Sequence, residues 1–158
     1  MRAPLVDEVR AVKTIETEIA MRATPEQVWS VLTDFRSYPL WNPFIREASG
    51  DVMTGSQLTV RIQPPGGTAM VFRPTIQQAS AGQELRWLGH FLISGLFDGE
   101  HSFRIEPVGD KDIRFRQSEQ FRGVLVPLFP TSIYENTRRG FEAMNQALKE
   151  RVEGTLAP

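Results

Sequence analysis

The chain contains no cysteine. That excludes disulfide scaffolds, thiol nucleophiles, cysteine-based zinc sites and iron–sulfur clusters together. Histidine is almost as scarce: His90 and His101 are the only two, too few for a multi-histidine metal centre, and no metal ligands are assigned. No Gly-x-Ser-x-Gly elbow, Walker loop, Gly-x-Gly-x-x-Gly turn or His-Glu-x-x-His helix occurs, which argues against hydrolase, kinase, dehydrogenase and zinc-enzyme chemistry. No cofactor is expected. Charge of one sign is also missing. Eighteen basic and 19 acidic residues leave a net charge of −1, with no drive toward a phosphate backbone, so nucleic acid is not an expected partner. The longest nearly apolar run, Val124 to Phe129, is too short to cross a bilayer. The opening residues, Met1 to Glu8, lack the apolar stretch of a secretory signal. A soluble, cytoplasmic chain is the expectation.

What is present is a regular change of hydrophobic period along 158 residues, the length of one domain. A domain of that size buries roughly 70% of the surface its unfolded chain exposes, enough for a core without staples. Residues 1–12 read as a loose lead-in and 13–158 as a single domain. From Thr14, Ile15, Thr17, Ile19 and Met21 alternate with Glu16 and Glu18, the pattern of a half-buried strand. Thr24-Pro25-Glu26-Gln27 then supplies an N-cap, a proline at the first helical position and a capping-box glutamine. The helix it starts should stop near Asp34. Pro39 and Pro43 confine residues 35–43 to turns or a broken helical turn.

Strand patterns follow at 45–49, 57–63 and 69–76, with Pro74 marking an edge or a bulge. Another surrounds Trp87, and 97–107 and 113–123 form a hairpin about Val108-Gly109-Asp110-Lys111. From Ser132 to about Val152 runs an amphipathic helix roughly 30 Å long. Its stripe is Ile133, Thr137, Phe141, Met144, Leu148 and Val152. Ser132 and Glu135 are spaced as a capping box, and Glu135 is spaced to pair with Arg138 and Arg139. Arginines 61, 73, 86, 104, 114 and 116 fall on outward positions. An antiparallel sheet of six to seven strands with one wet face must cover its dry face, and only the last helix is long enough. The fold class is therefore α+β.

This order, with Thr24-Pro25-Glu26-Gln27-Val28-Trp29, Tyr38-Pro39-Leu40-Trp41-Asn42-Pro43-Phe44, Gly99-Glu100-His101-Ser102-Phe103 and the 137–145 stretch from Thr137 to Asn145, resembles the START-like helix-grip superfamily (SRPBCC) in its bacterial polyketide cyclase/dehydrase branch. The resemblance spans about Lys13 to Glu153. It implies a curved sheet wrapped around the C-terminal helix, with a cavity between them. It does not decide function, because its members include cyclases, aromatases, lipid carriers, receptors and co-chaperones.

Pairing Ile105 with Ile113 and Phe103 with Phe115 sets His101 opposite Gln117 and Gly99 opposite Glu119. Alternation then gives His101, Gln117 and Glu119 one face with Phe97, Phe103, Phe115 and Phe121. A few polar groups among aromatics is the makeup of a ligand pocket. A structural hydrogen-bond network, or outward placement after a register slip, is the alternative. His101 and Glu119 are the candidates for proton transfer. Trp87, Val60, Met70, Phe72, Phe103 and Phe115 are inward strand positions, and Thr137 and Phe141 face them from the helix. Trp29 reads as core. The resemblance adds Trp41 and Phe44 as walls at one end of the cavity. Val124 to Phe129 is either an entrance lip or a segment tucked on the sheet. Gly140, costing around 1 kcal/mol relative to alanine within a helix, permits close approach or leaves volume below.

Three functions compete: a binding or carrier protein for a lipid, polyketide or aromatic molecule, a cyclase, dehydratase or aromatase, and a protein-interaction module. The small hydrophobic ligand is the expected partner; oligomeric state is not legible.

Overall fold

The computed structural model describes residues 12–91 and 93–154. Most of the expected lead-in therefore lies outside the described residues, and the first strand already begins at Val12. That strand, β1 (Val12–Arg22), leads to α1 (Pro25–Thr33), a 3-10 turn (Phe35–Ser37) and the one-turn α2 (Tyr38–Trp41). Thr24 caps α1 as its sequence requires. Its hydroxyl accepts from the Gln27 N–H at 3.3 Å, while Gln27 Oε1 accepts from the Thr24 N–H at 2.8 Å. Val28 and Leu32 turn inward. Tyr38 is fully buried and donates its hydroxyl to the Leu32 carbonyl, pinning the turn against the end of α1.

Seven further strands follow: β2 (Ile45–Ser49), β3 (Thr59–Ile62), β4 (Met70–Phe72), β5 (Thr75–Ser80), β6 (Glu84–Phe91), β7 (Phe97–Gly109) and β8 (Asp112–Arg122). They pair antiparallel as a five-stranded sheet, β1-β8-β7-β6-β5, and a three-stranded sheet, β2-β3-β4. The stretch 69–76, expected as one strand, is divided between β4 and β5, which makes eight strands rather than six to seven. Pro74 causes the break. It has no N–H to donate, so the ladder stops there, yet its carbonyl still accepts from the Leu58 N–H at 2.8 Å. A bridge between Gln57 and Thr75 joins the two sheets at this point.

The hairpin also differs from its expected register. Ile105 pairs with Phe115, Phe103 with Gln117, His101 with Glu119 and Gly99 with Phe121. The strands extend closer to the turn than expected, to Gly109 opposite Asp112, and an irregularity lies between Pro107 and Gly109. The shift is two residues. Because side chains alternate with period two, every inward residue stays inward and only its partner changes.

The last helix, α3 (Thr131–Gly154), packs mainly on β1 and α1. Phe141, Met144, Leu148 and Val152 are fully buried. Towards the N-terminal end the expected stripe is corrected. Ile133 is 37% exposed, and Tyr134 is buried instead, its hydroxyl donating to the Val126 carbonyl at 2.8 Å. Ser132 lies inside the helix rather than at its cap. Arg138 bonds the Glu16 carbonyl at 2.9 Å instead of pairing with Glu135. Lys149 Nζ reaches the Ala20 carbonyl at 3.0 Å, and Glu153 accepts from the Arg22 N–H at 2.9 Å. Three helix side chains thus cover the open edge of β1, which would otherwise present unpaired backbone groups. On the outer face the arginines interleave with glutamates: Arg116 contacts Glu16, Glu18 and Glu106, and Arg86 contacts Glu84 and Glu100.

Among the described residues no helix is long and apolar enough to cross a membrane. Val126 of the 124–129 segment tucks into the core, while Val124 and Leu128 stay exposed.

Two outcomes follow from this packing. Phe141→Ala should lower stability by about 3 kcal/mol, the cost of truncating a buried aromatic, measured by urea titration. Burial, with Asp34 adding to it, pushes the Tyr38 hydroxyl well above its ordinary range. The folded state then holds that proton more tightly than the unfolded chain, whose tyrosines ionise near pH 10. Its stabilising contribution is complete below about pH 10 and is lost as pH rises further. Wild-type stability should fall more steeply than that of Tyr38→Phe between about pH 9 and about pH 11; parallel curves would contradict this.

Candidate functional site

An open cavity of about 270 Å³ lies between the two sheets and the N-terminal half of α3. Its wall is built by alternation. Val60 on β3, Met70 and Phe72 on β4, Trp87 on β6, His101 on β7 and Glu119 on β8 all point into it. Thr137 and Phe141 face them from α3, and Phe44 comes from the link after α2. That link is held by a buried asparagine. Asn42 Oδ1 accepts from the Phe44 and Ile45 N–H groups at 3.0 and 2.9 Å, an Asx turn that aims Phe44 at the helix. Phe44 then meets Phe141 edge to face at 5.5 Å. Gly140 makes this possible, since a Cβ there would collide with the Phe44 ring.

Four expected site residues stand elsewhere. Trp41 packs on the Tyr38 ring at 5.2 Å, outside the cavity. Phe103, Phe115 and Gln117 are fully buried in the layer behind the wall. The inner face of a strand has a shallow and a deep end here, and alternation alone does not distinguish them. Phe103 stacks under His101 at 4.2 Å and meets Trp87 at 5.0 Å. Phe115 lies beyond it, 6.3 Å from Phe103.

Other wall residues carried weaker signals. Phe97 and Phe121, both inward by alternation, stack at 5.2 Å and close one end. Ile62 extends the β3 pattern, and Ile133 and Asn136 lie one turn before Thr137 and Phe141. Pro64, Gly67 and Thr68 bring the β3–β4 turn to the rim. At the mouth His90 Nδ1 contacts Asp98 Oδ1 at 2.8 Å, and Asp98 accepts from the Gly95 N–H.

The polar end is a chain of three side chains. His101, 1% exposed, is held between Phe103 and Phe141, whose rings lie 4.2 and 4.8 Å away. Its Nδ1 donates to Glu119 Oε2 at 3.0 Å. Its Nε2 accepts from Gln117 Nε2 at 3.1 Å, which also contacts Met144 Sδ. Gln117 Oε1 is left buried and unpartnered among the described residues. Rotating that amide would offer Oε1 to the ring nitrogen instead. Glu119 Oε1 has no donor among the described residues. It hangs over Gly99, where any Cβ would collide with it. Among the described residues no three histidine, aspartate or glutamate side chains converge as a metal site.

The fold is shared with solved structures. A START-superfamily protein from Mycobacterium smegmatis is 21% identical and superposes with a TM-score of 0.70 over 90% of this chain and 98% of its own. The Zhui aromatase/cyclase from Streptomyces sp. R1128 is 11% identical, with a TM-score of 0.75 over 93% and 97%. Norcoclaurine synthase from Thalictrum flavum, solved with dopamine and hydroxybenzaldehyde, is 14% identical, with a TM-score of 0.66 over 94% and 91%. At these identities they establish the fold alone. No curated protein sequence matches significantly. The family model for polyketide cyclase / dehydrase and lipid transport matches residues 13–153, nearly the whole helix-grip domain, and the chain belongs to that family.

Proposed function

We propose that the protein binds or carries a small, mostly apolar molecule in the cavity between sheet and C-terminal helix. The observation that carries this reading is the cavity itself: open, walled mostly by aromatic and aliphatic side chains, with a few polar groups among them. Its volume of about 270 Å³ suits a bicyclic aromatic or a medium-length chain rather than a two-tailed lipid. The aromatic ligands named for norcoclaurine synthase are of that size class. The outer face, latticed with arginine–glutamate pairs, offers no comparable apolar surface, which disfavours an interaction module.

A second reading is favoured by the His101–Glu119 pair. A carboxylate oxygen facing an apolar chamber, backed by an imidazole 3.0 Å from its other oxygen, is placed to take a proton from a bound substrate. Cyclisation or dehydration of a polyketide-like chain needs such a step, and the cavity would hold the chain folded.

2-Naphthol should bind saturably, one per chain, with a change in tryptophan fluorescence. Trp87→Ala should weaken binding about tenfold or more, the equivalent of a lost aromatic contact. Arg86→Ala, on the outer face, should leave it within about twofold. Absence of saturable binding, with folding confirmed by circular dichroism, would defeat both readings. Loss of turnover with binding retained in His101→Ala would select the enzyme.

A further inference from the structure

The polar end of the cavity is one-sided in its chemistry. Among the described residues no lysine or arginine lines the wall, and its titratable groups are His90, His101 and Glu119. His90 sits at the mouth with its Nδ1 already engaged by Asp98. His101 has both ring nitrogens occupied, by Glu119 and Gln117. Glu119 is different. Oε2 holds His101, but Oε1 has no donor among the described residues, and the side chain is 13% exposed, into the cavity. Gly99 leaves the space which that oxygen occupies, and the Cβ of an alanine there would collide with it. At Glu119 the site therefore offers a strong acceptor with no lysine or arginine as countercharge, the wall's other polar side chains being His90 at the mouth and the neutral Thr68, Asn136 and Thr137.

A ligand head that donates a hydrogen bond completes this arrangement. A carboxylate or phosphate head brings like charge against Glu119 in an apolar chamber with no lysine or arginine to neutralise it. A donorless hydrocarbon leaves Oε1 desolvated and unpaired, a cost that makes sites of this kind discriminate strongly. We infer that Glu119, seated over Gly99, makes the cavity selective for molecules carrying a hydroxyl, phenol or ammonium head and excludes carboxylate-headed ones such as fatty acids. This selectivity rests on the ligand-binding reading of the cavity above.

The test is a matched set on one skeleton: 2-naphthol, 2-naphthalenemethanamine, 2-methylnaphthalene and 2-naphthoate, titrated into the full chain by calorimetry near neutral pH. The two donor-headed compounds should bind about tenfold or more tightly than the other two, as a charge-assisted hydrogen bond implies. Glu119→Gln exchanges an acceptor for an amide that both accepts and donates while keeping the shape. It should admit 2-naphthoate and narrow its disadvantage against 2-naphthol to about threefold or less. Gly99→Ala, which displaces the carboxylate without removing it, should erode the preference as well. Equal binding of naphthoate and naphthol by the wild type, or a preference unchanged in both variants, overturns the inference while leaving the cavity reading intact. Binding of none of the four overturns the cavity reading, and the inference with it.

Discussion

A straight helix laid along a sheet cannot touch it everywhere, and in this protein the contact is concentrated at the C-terminal end. Met144, Leu148 and Val152 are fully buried there, and Lys149 and Glu153 tie that end to the open edge of β1, with Arg138 a further tie in the N-terminal half. With that end fixed, the turns from Ile133 to Phe141 stand over the mouths of β3, β4 and β6 with a gap beneath them. Thr17 and Asn145 add a buried polar tie at the helix centre, Asn145 Nδ2 donating to Thr17 Oγ1 at 2.9 Å. The cavity is the consequence of where the helix is anchored.

Glycine then decides how the gap is used. Gly140 admits the Phe44 ring against the helix, closing one wall. Gly99 leaves space that Glu119 fills with a carboxylate. Gly89, also in the wall, contributes no side chain opposite Pro74. Each is a local departure from what a strand or a helix prefers. All three fall around the same chamber, the pattern expected where local preference yields to a site.

Much of this was legible in the sequence, and the exceptions have identifiable causes. The capping box at Thr24, the inward set of β1 and the burial of Phe141 follow directly from period and spacing. The division at Pro74 was visible as a missing donor, but whether a proline bends a strand or ends it depends on what its carbonyl meets, here the Leu58 N–H. The two-residue register shift in the β7–β8 hairpin left faces unchanged, so His101 and Glu119 were placed on the correct face although their partners were not. Depth was not legible. Phe103, Phe115 and Gln117 share the inward face with Trp87 and His101 but lie behind them, because depth depends on where the helix leaves the sheet. Trp41 resembled a wall residue by its place in the link, and its contact with Tyr38 turned it away.

The chemistry of the site follows from the same geometry. Aromatic rings enclose His101 while Glu119 faces the chamber, so whatever enters is judged by its shape against the aromatic wall and by what it offers Glu119. The most direct measurement is the position of a bound ligand by intermolecular NOEs, with 2-naphthol on isotope-labelled protein. The account predicts contacts from the ring to Trp87, Phe141 and Met70, with the hydroxyl end nearest Gly99. Contacts confined to exposed residues outside the cavity such as Ile93 and Leu128, with none to Phe141, would contradict it.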